Sequence, residues 1–365
     1  MFRRRNRQPE QTALNSGRKT GGLMPNSKRQ LAFVVDLNKC IGCHTCTIAC
    51  KTLWTNDKGM DHMWWMKVNT VPGKGYPKEW ERMGGGYDPD GKLVLGKRPE
   101  EADYGKPMEF NYEEVFYGGN GNKVHLAPKE KPGWGPNWEE DIASGEYPNA
   151  YFFYLPRMCN HCTRPACAEA CPHGAIGKRE EDGVVLMVDD SKCESCSDPV
   201  CMKGCPYKEV YANPVRKIAQ KCNACLPRME REVAPACVRQ CPGRCIWVGY
   251  LDDEDGPIHK LVQDWKVALP LHAEFGTKPN VYYVPPLSPP RLDADGNAGS
   301  SEPRIAMDYL RSLFGPQVDD ALACLKEEIN KKARKEDSEL MDILIVRRWQ
   351  ELLGSFIKDP SEVQA

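Results

Sequence analysis

CIGCHTCTIAC, residues 40–50, sets four cysteines at the spacing C-x2-C-x2-C-x3-C. Thiolates at that spacing hold cubane iron–sulfur clusters. Cys40, Cys43 and Cys46 stand close enough to wrap one corner of a cluster, whereas Cys50 projects away and ligates a different one. A run of this kind is half of a site. It requires a partner motif elsewhere, and the chain holds three.

Outward from that stretch, Cys159, Cys162, Cys167 and Cys171 are spaced x2, x4, x3, and Cys193, Cys196, Cys201 and Cys205 repeat the spacing. Cys222, Cys225, Cys237 and Cys241 are spaced x2, x11, x3. Pro172, Pro206 and Pro242 directly follow the last cysteine of these three motifs, so the motifs read as repeats of one unit. If each trailing cysteine crosses over, the motifs must pair. The second and third are adjacent and alike, which leaves the first and fourth to each other. The expected sets are Cys40, Cys43, Cys46 and Cys241 for cluster 1, and Cys222, Cys225, Cys237 and Cys50 for cluster 2. Cluster 3 takes Cys159, Cys162, Cys167 and Cys205, and cluster 4 takes Cys193, Cys196, Cys201 and Cys171. Of the 18 cysteines only Cys245 and Cys324 remain. Cys245, four residues past a ligand, reads as a bystander with substitute ligand as the alternative. Cys324 reads as a free buried thiol.

Rival chemistries explain less. CIGCH (residues 40–44) matches the c-type haem attachment signature, but a haem leaves Cys46, Cys50 and three further quartets unexplained. Zinc accepts paired C-x2-C ligands but does not call for the trailing C-x3-C-P pattern. Disulfide-dense chains are usually small and secreted, and MFRRRNRQ is followed by polar residues where an apolar signal core would stand. His161 and His173 then lie beside clusters or at the surface and are not ligands. Basic residues next to the motifs (Lys39, Arg164, Lys203, Arg228, Arg231, Arg244) read either as counter-charges to the clusters or as solvated surface groups.

The 365 residues are 41% hydrophobic and 28% charged, ordinary values for a globular chain. With 50 basic against 51 acidic residues there is no excess that would suit nucleic acid. No apolar run reaches membrane-spanning length. No dinucleotide fingerprint, P-loop or Ser/His/Asp constellation is identifiable, so no active site is expected on this chain. Every cubane can be given four thiolates, which points to outer-sphere electron transfer through a relay, with a donor and an acceptor outside the chain.

The expected fold is α+β: two bacterial-ferredoxin-like modules, a long irregular insertion and a helical C-terminal extension. Residues 1–29 read as a disordered or partner-bound arm. Residues 30–50 with 214–255 form one module, 151–213 the other, and 51–150 an aromatic, Gly-rich insertion between them. Residues 256–304 read as a proline-rich strap, and 305–365 as a helical docking tail with apolar positions three and four apart. Strands are expected over 31–37, 150–156, 208–213 and 245–253, with two more inside 175–188, and helical character after Cys46.

The motifs LNKCIGCHTCTIACKTLWT (37–55), PGKGYP (72–77), RMCNHCTRPACAEACPHGAIGKREEDG (157–183), GCPYKEVYAN (204–213) and QKCNAC (220–225) together resemble a known family. It is the iron–sulfur (beta) subunit of complex iron–sulfur molybdoenzymes, in the branch of nitrate, selenate and chlorate reductases, nitrite oxidoreductase, and dimethyl sulfide and ethylbenzene dehydrogenases. The resemblance spans roughly residues 30–290. It implies a catalytic alpha subunit with a molybdenum bis-pterin cofactor near the Cys40/Cys241 cluster, and a haem b gamma subunit near the Cys193/Cys171 cluster. Many members carry tryptophan where Cys196 stands, with tighter spacing, and hold a [3Fe–4S] cluster there. Here Cys196 is present and two extra residues precede Cys201, so four [4Fe–4S] clusters are expected, with [3Fe–4S] as the alternative for cluster 4. That departure leaves the direction of electron flow open. The substrate belongs to the alpha subunit. The compartment is expected to be the periplasm, by co-export with a signal-bearing partner, or otherwise the cytoplasmic face of the membrane. An independent polyferredoxin-like carrier is the alternative function.

Overall fold

A computed structural model describes residues 27–105, 143–193, 196, 198–298 and 302–363. Most of the expected arm and residues 106–142 of the expected insertion lie outside the described residues. Ten strands are seen: β1 (Leu31–Asp36), β2 (Met66–Val71), β3 (Phe153–Met158), β4 (Ile176–Lys178), β5 (Val185–Met187), β6 (Val210–Asn213), β7 (Ile218–Lys221), β8 (Ile246–Tyr250), β9 (Leu269–Pro270) and β10 (Val281–Val284).

β1 is β-branched and aromatic, and all six of its residues are buried, so it can only be an inner strand. It pairs antiparallel with β8 and parallel with β10, in a sheet ordered β8-β1-β10-β9. β10 comes from the proline-rich segment read as a strap. Its VYYV is a four-residue β former that ends where Pro285 removes the next donor. The remaining strands form three antiparallel pairs, β2 with β3, β4 with β5, and β6 with β7. Pairing is therefore nested among β1 to β8. The first strand meets the last, the central two meet each other, and β2–β3 and β6–β7 join the parts between. β2 lies inside the segment read as irregular, and its six-residue ladder from Met66↔Met158 to Val71↔Phe153 makes that stretch integral to the core.

The β2–β3 ladder carries a buried ionic network. Lys67 Nζ lies 2.6 Å from both Glu209 carboxylate oxygens and 3.2 Å from Tyr211 Oη. Arg157 Nη2 donates to the Tyr207 carbonyl at 2.7 Å and reaches Glu209 at 3.4 Å. Its guanidinium also stacks 3.5 Å over the Trp80 ring. All three charges are at most 2% exposed. One carboxylate thus serves two cations from neighbouring strands just ahead of β6, which leaves the group one positive charge in excess.

The C-terminal helices Met307–Phe314, Val318–Ala333 and Glu339–Ile345 bury Leu310, Phe314, Leu322, Leu325, Leu340 and Leu344 in the same continuous core as the strands. Three donors near the cysteine motifs clamp the chain that follows: Lys39 Nζ to the Leu344 carbonyl (3.0 Å), Arg244 Nη1 to the Val346 carbonyl (3.1 Å), and Ala234 N–H to the Phe356 carbonyl (3.1 Å). Cys324 is free but only half-buried.

Two outcomes follow from these contacts. Glu209→Ala leaves Lys67 and Arg157 buried without a counter-ion, and should cost about 3–5 kcal/mol in chemical denaturation. His272 sits between Glu274 (2.7 Å) and Glu81 (3.1 Å). Burial opposes its charge, but the hydrogen bonds it donates to both carboxylates prevail and hold its pKa above 6.5. Its contribution is complete below pH 6.5 and is lost as pH rises through the higher folded value. Thermal unfolding of the intact protein should show that decline, and His272→Gln should flatten it.

Candidate metal centres

Four cavities each gather four motif cysteines. Cys40, Cys43, Cys46 and Cys241 line one, with Cys245 beside them. Cys50, Cys222, Cys225 and Cys237 line the next, and Cys159, Cys162, Cys167 and Cys205 a third. Cys171, Cys193, Cys196 and Cys201 share a wider cleft of about 1270 Å³. Every cavity thus joins three cysteines of one motif to the trailing cysteine of another. All 18 cysteines are free of disulfides. Among the described residues no three His, Cys, Asp or Glu side chains are placed to hold a single metal ion.

The backbone repeats a local device at these sites. Gly42, His161 and Ala224 stand directly before the second cysteine of their C-x2-C pairs, and all are left-handed, at φ 65°, 42° and 55°. The turn lets two cysteines three residues apart face the same cavity. Each trailing cysteine of the later motifs comes just after a short helix, Ala166–Glu169, Val200–Gly204 or Ala236–Arg239. The proline that follows cannot continue a helix. Three residues past the cysteine, Gly174, Lys208 and Arg244 are left-handed at φ 57°, 54° and 50°. The next N–H then turns back onto the sulfur: Ala175 to Cys171 Sγ at 3.3 Å, Glu209 to Cys205 Sγ at 3.5 Å, and Cys245 to Cys241. The first motif lacks the proline. Its helix Thr45–Trp54 runs on past Cys50 and delivers Trp54, whose indole N–H donates to Cys225 Sγ at 3.1 Å.

Burial works against ionised thiols here. It pushes Cys46 and Cys222 up to about 12, and neighbouring sulfurs add to the effect. Cys50, Cys167 and Cys237 go well above the usual thiol range for the same reasons. Such quartets hold thiolates together only against strong positive charge, which coordinated iron supplies. Soft sulfur donors, N–H groups aimed at the sulfurs and a cavity inside each quartet together fit an iron–sulfur cluster. Cys245 is a fifth thiol at the first quartet, 2% exposed and 3.3 Å from Cys241 Sγ. Its hydrogen bond is the leading cause that draws Cys241 down to about 6 and lowers Cys40 as well.

His161 accepts the Val185 N–H at Nδ1 (3.1 Å), and burial drives its pKa well below 6.5, so the ring is neutral. His173 lines the wide cleft. The basic residues flagged in the sequence are mostly packed groups. Arg164 stacks 3.5 Å over Tyr87, and Lys39 lies 4.9 Å over the Trp247 ring. Sequence reasoning missed Trp54, Lys208 and Lys221. Lys208 is fully buried, and burial brings its ammonium to about 8 against the pull of Cys205. At Lys221 burial also opposes the charge, but Cys159, Cys167 and Cys222 outweigh it and keep the pKa above 10.5. One signal was available: a lysine directly precedes the first cysteine of three motifs, at Lys39, Lys192 and Lys221.

The profile described as a 4Fe-4S dicluster domain matches residues 150–251, the span of the second, third and fourth motifs. This is an iron–sulfur protein of mixed α and β structure with a ferredoxin-like cluster domain. The chain is 56% identical to the selenate reductase beta subunit of Thauera selenatis, over 87% of this chain and 97% of that one. It is 54% identical to the chlorate reductase beta subunit of Ideonella dechloratans (87% and 97% covered) and 51% identical to the respiratory nitrate reductase beta subunit of Haloferax mediterranei (90% and 94%). The chain belongs to the family of iron–sulfur beta subunits of the type II molybdoenzymes, and its work is to relay electrons through iron–sulfur clusters. Among the described residues no helix is long and apolar enough to cross a membrane.

Trp54→Phe removes an N–H donor from a ligand sulfur. A hydrogen bond to sulfur favours the more negative, reduced cluster. The variant should keep its iron and lower the midpoint potential of one cluster by some tens of mV in an EPR-monitored titration, since about 59 mV corresponds to a tenfold change for one electron.

Proposed function

We propose that the four quartets bind four [4Fe–4S] clusters, held as two ferredoxin-like modules of which the second is inserted into the first. The observation that carries this reading is the grouping of the cysteines: each cavity takes a triplet from one motif and the trailing cysteine from its pair. The nested strand pairing supports the two modules, with β1 and β8 closing the outer one, β4 and β5 the inner one, and β2–β3 and β6–β7 joining them. When bound, the clusters supply the one-electron redox centres of the relay. The chain itself excludes water, sets N–H dipoles against the sulfurs, and holds the sites in fixed order.

Exposure supports a relay running from the first quartet through the second and third to the fourth. Each of the two middle quartets has three buried cysteines and one half-buried, whereas in the first Cys43 is exposed, with Ile41 (64%) beside it in the lining. The fourth borders the wide cleft. We assign the first rim to a molybdenum-containing alpha subunit and the fourth quartet's side to a haem b gamma subunit or another redox partner. Selenate and chlorate reductase beta subunits are among the relatives, and we accordingly place the complex in the periplasm, exported folded with a signal-bearing partner. Cys196 lines the fourth cavity, which supports a complete [4Fe–4S] cluster there.

Anaerobic purification should yield a complex containing a larger catalytic subunit, with this chain accounting for roughly 16 of its iron atoms and the partners' cofactors for the rest. The oxidised sample should be EPR-silent for [3Fe–4S], and reduction should develop four [4Fe–4S] signals. A strong oxidised [3Fe–4S] signal would remove Cys196 from the ligands. Recovery of the loaded chain alone would make it a free carrier.

A further inference from the structure

The central step of such a relay passes between the second and third quartets, which belong to different modules. One side chain touches both. Lys221 ends β7 and directly precedes Cys222 of the second quartet, while its side chain lines the third quartet's cavity beside Cys159, Cys162, Cys167 and Cys205. It is 2% exposed. Its Nζ donates to the carbonyls of Val185 and Cys222, the latter at 2.8 Å. The charges acting on it are sulfurs: Cys159 and Cys167 on one side, Cys222 on the other, with Cys159 also accepting a hydrogen bond.

What Lys221 lacks sets it apart. Lys67, equally buried, is neutralised by Glu209 at 2.6 Å. Among the described residues no carboxylate forms an ion pair with Lys221, and the largest attractions on it come from sulfurs. A buried ammonium without a counter-ion is strongly disfavoured, so the group must find its negative charge elsewhere. The negative groups placed to supply it are cysteines of the two quartets, Cys159 and Cys167 of the third and Cys222 of the second. The two carbonyls, one of them that of Cys222, hold the ammonium in place, so it is a fixed feature of the site and not a mobile surface charge.

We propose that Lys221 is a single fixed positive charge shared by clusters 2 and 3, which raises the reduction potentials of both and so sets the central step of the relay. This rests on the four-cluster reading above. Reduction adds one negative charge to a cluster, and a nearby cation in a poorly screened interior favours that state. One cation serving both centres moves both potentials in the same direction, so the step between them stays nearly level while both become easier to reduce. Lys221 is a positioning residue in this scheme. It carries no electron and ligates no iron.

The test uses the intact complex, with iron analysis and EPR-monitored redox titration of wild type, Lys221→Gln and Lys221→Arg. Cys225→Ala and Cys162→Ala variants identify the signals of clusters 2 and 3. Glutamine keeps a donor for the two carbonyls but removes the charge, and arginine keeps both. In Lys221→Gln the reduction equilibria of clusters 2 and 3 should each fall on the order of tenfold, a shift of about 59 mV to more negative potential. Clusters 1 and 4 should not move, and Lys221→Arg should stay near wild type. Should Lys221→Gln fail to load iron, Lys221→Met, a neutral chain of similar length, is read in the same way. Unmoved potentials in a fully loaded neutral variant would overturn the proposal, leaving Lys221 a hydrogen-bonding residue only. A shift of one cluster alone would overturn the sharing. Fewer than four clusters in loaded wild type would instead sink the four-cluster reading, before any lysine variant is considered.

Discussion

A cubane-sized space must be ringed by four sulfurs, and one short loop of chain supplies only three of them on one side. The fourth has to arrive from another direction. Here it comes from a second motif, the remaining cysteine of which is sent back in return. In the proposed assignment that exchange ties residues 40–50 to 222–241 across more than half of the chain, and 159–171 to 193–205 within it. The nested strand pairing is what makes the exchange geometrically possible. β1 beside β8 brings the outer motifs together, and β2–β3 and β6–β7 hold the inner part in register with them.

Burying thiols this deeply is unfavourable in itself, as the raised pKa values of Cys46, Cys50 and Cys237 indicate. The protein offsets part of that penalty locally, with N–H groups turned onto sulfur by left-handed residues and with buried cations. Bound iron supplies the rest, so folding and cluster binding are one process. The Lys67–Glu209–Arg157 network serves a different purpose. It is electrically self-contained to within one charge, and it sits where the β2–β3 ladder meets the chain entering β6. Lys221 is left open by comparison, because the sulfur groups on either side complete it.

The C-terminal helices belong to the same logic. Lys39, next to Cys40 of the first quartet, and Arg244, next to the fifth thiol Cys245, donate to carbonyls at and just beyond the end of the helix Glu339–Ile345. The tail therefore seals part of the first quartet's surroundings against water and leaves Ile41 and Cys43 at an open rim. A relay needs such an arrangement: insulated in the middle, accessible at its ends.

By itself the sequence determined the chemistry, that of an iron–sulfur relay subunit. Cysteine spacing, repeated with its trailing proline, encodes iron–sulfur ligation because thiolates three residues apart can share one cluster and few other groups need that pattern. The strands flanking the motifs were legible too, since LAFVVD and CIWVGY are β-branched or aromatic runs. Other features were decided only by tertiary structure. β2 and β10 come from stretches too polar, or too rich in proline nearby, to read as core strands; their pairing with β3 and β1 overrides local propensity. Lys67 and Lys221 look like surface charges in sequence, because nothing local announces the carboxylate or the sulfurs that neutralise them from elsewhere in the chain. The approach of Trp54 to Cys225, 171 residues away, is of the same kind. Ligand identity is written in short-range spacing. The electrostatic surroundings of each site depend on contacts between distant segments, which exist only once the chain has folded.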